Sequence, residues 1–352
     1  MNQRIKYLTP YTLAIAGLLA LAGEGAWRYA VLLYAFGLVP LLELFFPTDR
    51  HNLTAAEEAL AKADRWYDWL IYLTVPLQYG LLGWFFFQMQ AGDLSGSERV
   101  GLILSMGVLC GTYGINVGHE LGHRKAPHER VLAKLALLSS LYLHFYIEHN
   151  RGHHKRVATV EDPASSRRGE WVYAFWGRSI WHGYRSAWEL ETQRLRRQGL
   201  PFWSWHNEML RFQLIQAGLL LLIGLAWGPA ALLGFLGAAT VGILLLETVN
   251  YIEHYGLQRR EAAPGRYERV QPHHSWNSNH VIGRLLLFEL SRHSDHHFLA
   301  SRKYQILRHH EDAPQMPTGY PGMMLLALVP PLWFGVMHPV LDRLTPPTPA
   351  HG

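Results

Sequence analysis

Long apolar runs alternate with polar, histidine- and arginine-rich stretches along this chain, and the alternation predicts helices that cross a membrane. A spanning helix needs roughly 20 mostly apolar residues. Six segments answer to that, near 7–22, 29–46, 69–88, 100–117, 212–227 and 230–249. Gly228-Pro229 reads as a tight turn between the last two. The first run reads as a span and not a cleaved leader, because it has no small-residue cleavage site and a second apolar run follows at once. Val131–Tyr146 is apolar too. It is short and carries Lys134 and His144, so it reads as a helix buried in protein or lying at the interface.

The pattern predicts an all-α, polytopic bundle of about six membrane helices with a helical cap. The whole chain, 1–352, is expected to form one domain with two large insertions, about 119–211 and 250–352. The tail from Pro346 is Pro-rich and reads as disordered. We find no internal repeat.

Composition adds little until it is read by position. The 352 residues are 49% hydrophobic and 17% charged, and the mean hydropathy of −0.02 hides the segregation. The formal charge of +5 fits the positive-inside rule better than nucleic acid, for which no motif is present. Arg4 and Lys6 precede the first span; Arg50, Lys62 and Arg65 lie between the second and third; 119–211 is dense in Arg and Lys. Both termini and both insertions are therefore expected on the cytoplasmic side. A crossing at Val131–Tyr146 would separate His149 from His119, which a shared metal site forbids. One cysteine, Cys110, excludes a disulfide framework and any cysteine-held cluster.

The polar stretches carry three histidine clusters: His119 and His123 in His-Glu-Leu-Gly-His; His149, His153 and His154; His293, His296 and His297. Residues three or four apart share a helix face, so each cluster is expected to aim its imidazoles one way. Eight such ligands exceed the needs of one ion, so two metals are expected. His254, at the end of the last span, is a ninth candidate. His51, His144, His182, His206, His338 and His351 read as ordinary core histidines. No catalytic group beyond the metal ligands is expected.

Glu120, Glu148, Asp162, Glu253 and Asp295 sit beside these histidines and are assigned to orienting them, since a metal-bound imidazole usually donates its other N–H to a carboxylate. Direct or bridging ligation by carboxylates is the competing reading. Gly107, Gly111, Gly114 and Gly118 line one face of the fourth span. Such a stripe usually lets helices pack closely; the sharper reading is room for a chain-shaped ligand. His119–His123 also fits the zinc-protease pattern H-E-x-x-H, but that reading leaves the other clusters idle. A metal transporter would hold its ligands near the bilayer midplane, whereas these lie at span ends or beyond.

With Asn250-Tyr251-Ile252-Glu253-His254-Tyr255-Gly256 and Pro272–His280, these clusters resemble the integral-membrane alkane 1-monooxygenases, within the desaturase and hydroxylase superfamily. The similarity runs from about the second span to Pro321, including Asn207-Glu208 and Pro317–Pro321. Ser291 departs from the family pattern, where Gln is expected, and touches only local packing. The resemblance implies two non-haem irons, dioxygen, terminal hydroxylation of n-alkanes, and electrons from rubredoxin and its upstream reductase. It also implies a bacterial inner membrane. Asn277, His274 and His280 are assigned as supporting residues near the site, the two histidines as reserve ligands. A fatty-acyl desaturase or hydroxylase on the same site is the runner-up.

A chain with one cysteine holds no rubredoxin domain, which needs four. A basic face for a separate donor is expected around Lys155, Arg156, Arg167, Arg168, Arg185, Arg194, Arg196 and Arg197; contact with anionic lipid is the blander reading.

Overall fold

The computed structural model describes residues 4–344; the tail from Pro346 and His351 lie outside them. Among the described residues, five helices are long and apolar enough to cross a membrane: Ile5–Ala22, Gly25–Glu43, Arg65–Met89, Gly96–Gly122 and Glu208–His254. The fifth is broken at Gly228, which has φ 75° and ψ −179°. That is a conformation open to glycine, and Pro229 then opens the next arm without needing a donor. The chain doubles back there. Trp227 and Phe235 both pack on Phe86, with ring centroids 5.4 and 5.6 Å away. The last two expected spans are the arms of this bent element.

Helix ends differ from the hydropathy limits where caps decide them. The third helix starts at Arg65, before the apolar run, because the Asp64 carboxylate accepts from the Trp66 amide at 3.0 Å. The second stops at Glu43, short of Phe46. Its Glu43 Oε1 accepts from the Gly283 amide at 2.9 Å, tying the helix to the C-terminal half. Val131–Tyr146 does not form one helix. Pro127–Leu138 is helical over 12 residues, too short to cross, and Leu141 turns the chain with φ 54°. Ala133, Ala136 and Leu137 are fully buried while Val131 and Leu135 are exposed, so this helix packs one face against the protein.

The glycine stripe is mostly a packing device. A Cβ on Gly107 would overlap Val241, one on Gly114 would overlap Ser140, and one on Gly118 would come within 2.6 Å of Leu137. Those three let neighbouring helices approach. At Gly111 the nearest atoms stand 3.5 Å away, and only this member of the stripe borders the cavity described below.

Two helices end at the histidine clusters. Gly96–Gly122 delivers His119 in its last turn, and Glu208–His254 delivers His254 as its last residue. Apolar side chains form one cluster among the spans and another around Tyr251, Tyr255 and Trp333.

Candidate metal centre

The structure brings all nine histidines together, in two groups. His119, His123, His149, His154 and His296 form one, and His153, His254, His293 and His297 the other; within each, the ligand atoms lie within 4.8 Å of one another. Most are buried, while His123 and His154 reach solvent in part.

The second and third clusters do not each point one way. His149–His153 is π-helical, so residues five apart overlie each other. His149 and His154 therefore meet, Nε2 to Nε2 at 3.0 Å, and His153 turns to the other group. In the third cluster His293 and His297 share a face, while His296 faces His119 at 2.9 Å. Each of these two clusters thus serves both groups.

The donor set fits a cation. An imidazole Nε2 carries at most one proton. His149 Nε2 faces both His123, at 3.1 Å, and His154, at 3.0 Å; His296 Nε2 faces His119, at 2.9 Å, and His154, at 3.1 Å. Hydrogen bonds cannot satisfy all of these at once. In the second group His153 faces His297, and His254 faces His293, each at 3.2 Å. Lone pairs converging on two points are what a metal pair needs.

Electrostatics keep these rings neutral. Burial, with the neighbouring histidines adding to it, holds His149, His154, His293, His296 and His297 well below the usual imidazole range. The same effect takes His123 down to about 3. His153 is the exception. Burial lowers it, but the Asp162 carboxylate, 2.9 Å from Nδ1, more than offsets that and raises it. Six of the groups named here therefore bind fewer protons folded than unfolded. Their unfolded partners charge as pH falls through 6.5, so folding stability is lost below that value. His153 works the other way and is outnumbered. The metal-free protein is accordingly expected to lose thermal stability steadily from about pH 6.5 toward pH 3, with a loss of several degrees in Tm. A flat Tm over that range would contradict the neutral-imidazole assignment.

Of the five carboxylates, only Asp162 takes the Nδ1 of a cluster histidine; the Ser165 hydroxyl also donates to it at 2.6 Å. Glu253 lies on the opposite side of its histidine. Its Oε2 is 3.2 Å from His293 Nε2, while Oε1 accepts from Tyr320 Oη at 2.8 Å. It therefore faces the donor atoms themselves. The other three are engaged elsewhere. Glu120 pairs with Arg124 at 2.6 Å and accepts from the Tyr304 amide, which leaves the zinc-protease reading without its base. Glu148 pairs with Arg156 at 2.8 Å. Asp295 holds His310, at 2.8 Å, and the Arg308 amide. His310 was missed in the sequence; its adjacency to His309 in a polar stretch was the available signal.

The two reserve histidines belong to neither group. His274 bonds Glu268 at 3.2 Å and accepts from the Gln271 amide, and His280 Nδ1 faces Ser278 Oγ at 3.1 Å. The Asn277 side chain is buried without a partner. Ser291 donates to the Ser278 carbonyl at 2.9 Å, a packing role. His51, His182 and His206 are not core residues but exposed. His144 is buried against Tyr142 and Tyr184, and His338 contacts Tyr255 Oη at 2.9 Å.

Half of the expected basic face is paired within the chain, while Lys155 and Arg167 are exposed without a side-chain ion pair. Arg194 binds Glu191 at 2.6 Å, Arg156 binds Glu148, Arg168 binds Asp342 at 2.5 Å and Arg185 binds Glu189 at 3.6 Å. Arg196 and Arg197 are exposed without such a partner.

An apolar cavity opens among the helices and ends at the metal centre. Val108, Leu245 and Met324 border it, and His119, His149, His293 and Glu253 close it.

A family model for fatty acid desaturases matches residues 99–327. Alkane 1-monooxygenase 1 of Pseudomonas aeruginosa is 44% identical over 319 residues, which is 89% of this chain and 82% of that protein. The alkane 1-monooxygenase of Pseudomonas putida is 44% identical over 91% of this chain and 80% of its own. The xylene/toluene monooxygenase hydroxylase component XylM of Pseudomonas putida is 32% identical over 76% of this chain and 71% of its own. Such relatives, with the apolar helices, make this a membrane protein.

Proposed function

The chain belongs to the alkane 1-monooxygenases, and on that footing we propose that it hydroxylates the terminal methyl of n-alkanes with dioxygen and two electrons from reduced rubredoxin. The observation that carries this reading is an apolar cavity ending on the nine-histidine centre. An unactivated methyl has no acidic proton and no polar handle, so acid–base groups alone cannot attack it. The nine histidines would hold two irons, and the irons would supply the oxidising chemistry when bound. By affinity alone an imidazole site favours copper or zinc, so iron rests on the family. An imidazole ligand set brings no negative charge and would leave the cations' charge largely uncompensated, with Asp162 on His153 and Glu253 on His293 the nearest carboxylates.

The residues then divide the work. Asp162 fixes the His153 tautomer so that Nε2 faces inward. The cavity walls exclude water and lead an alkyl chain to His119 and His293. Glu253, held by Tyr320, is placed to hold or pass a proton at Oε2 beside the chain end. We place the histidine centre and both termini on the cytoplasmic side of a bacterial inner membrane, in a single domain; the distribution of Lys and Arg supports this.

The test is product analysis with purified protein, reduced rubredoxin and an n-alkane. The 1-alkanol should form with oxygen taken from dioxygen, at two irons per chain. Desaturated acyl product with no alkanol would move the chain to the desaturases. A chain that binds iron stoichiometrically but turns over neither substrate would revive the transporter.

The donor should approach where His123 and His154 reach solvent. If Arg196 and Arg197 help to steer it, turnover at limiting donor falls steeply with salt and turnover at saturating donor falls little. Charge reversal at both should raise the apparent KM for donor by several-fold and leave that for alkane unchanged. A flat salt response would assign the two arginines to lipid.

A further inference from the structure

We propose that the hydrocarbon enters the cavity sideways from the bilayer, through a seam in the second helix that the Phe36 side chain closes. This rests on reading the cavity as an alkane slot. Phe36 and Leu245 both pack against the apolar cluster of the spans and against the C-terminal one. Both also border the cavity, and both are only half-buried. The cavity therefore comes to the surface where the two clusters meet. Its other end is shut by buried His119, His149, His293 and Glu253. A saturated chain gains nothing by leaving the bilayer to cross the hydrated face beyond them.

The local backbone suits a gate. Phe36 lies in the π-helical stretch Tyr34–Leu38, where the regular hydrogen-bond ladder is interrupted. Beside it Gly37 is exposed, with nothing within 4 Å of where a Cβ would stand. Pro40 follows in the next turn and donates no hydrogen bond. Thr12 Oγ1 and Tyr34 Oη share a hydrogen bond of 2.6 Å, which ties the turn to the first helix, and the next polar tie on this helix is Glu43 to the Gly283 amide. The rim is apolar and exposed. Exposed Leu325 and Leu328 belong to the C-terminal segment packed against this stretch, while Leu33 and Leu38 line a separate groove against the first helix. A ring at that seam can swing aside without breaking a polar contact of its own.

The experiment uses the full chain with its metals, in lipid bilayer discs without electron donor, so that no turnover occurs. Association and dissociation of a tritiated n-alkane are followed by rapid dilution between discs. Phe36→Trp should slow both rates on the order of tenfold and leave the Kd nearly unchanged, and Phe36→Ala should speed both. Val108→Phe, deeper in the same cavity, should instead weaken the Kd. Unchanged rates in both Phe36 variants would overturn the gate. So would a change in Kd carried by dissociation alone, since that is how a simple wall residue behaves. If Phe36→Trp does not fold, the alanine variant decides. Failure of wild-type protein to bind the alkane at all would instead sink the slot reading on which the gate depends.

Discussion

Alanine at His296 is expected to empty the five-histidine group and cut hydroxylation by more than about 100-fold, while the four-histidine group keeps much of its metal. Losing an orienting partner outside the ligand sphere usually costs ~10–100-fold, and a missing ligand should exceed that. His296 Nε2 stands 2.9 Å from His119 and 3.1 Å from His154, so its loss opens the five-histidine group and removes no donor from the other. Alanine at His297 should do the reverse, because its Nε2 faces His153 at 3.2 Å. Iron per chain and alkanol formation, measured on both variants, check the assignment. Each should retain about half the iron, and the two residual irons should differ spectroscopically. Equal loss of both metals in either variant would mean that the groups do not fill independently. Full iron with intact turnover would remove that residue from the centre.

That pair of neighbours marks where the sequence stopped being legible. Spacing pointed to eight of the histidines and the end of a span to His254, and the structure brings the nine together. Spacing could not say which of the two groups each one joins. In the second cluster the partition turns on the π-helical stretch His149–His153, and an extra residue in a turn leaves no trace in hydrophobic periodicity; in the third, His296 and His297 diverge as neighbours on an ordinary α-helix. The spans were legible for the opposite reason, since burial in lipid demands long apolar runs. Their ends were less so: Asp64 extends one helix through polar residues, and another stops at Glu43, short of the end of its apolar run. The carboxylates were read by adjacency, which fails in a helix. Glu120 and Glu148 each neighbour a cluster histidine, but adjacent positions point away from each other, and both turn to arginines. Asp162, nine residues beyond His153 in sequence, is the one that reaches a ring from behind.

Asp162→Asn should therefore do more than its small change in volume suggests. In the native chain the carboxylate can only accept, so His153 Nδ1 must carry the proton and Nε2 presents its lone pair to the second group. An asparagine amide can turn either way. If its nitrogen faces His153, Nδ1 becomes the acceptor and the proton moves to Nε2, where it blocks ligation. The buried negative charge beside the metal is lost as well. A drop in metal affinity on the order of 10–100-fold is expected at the four-histidine group, with the five-histidine group nearly intact. Raising the iron concentration should restore part of the turnover, which it would not do for His153→Ala. Asp162→Glu is the companion variant, because it keeps the charge and the acceptor-only chemistry, and it should sit closer to wild type in iron affinity than in turnover. If Asp162→Asn bound both irons with native affinity, the tautomer would be set by something other than this carboxylate, and the Ser165–Asp162–His153 chain would be reduced to a packing contact.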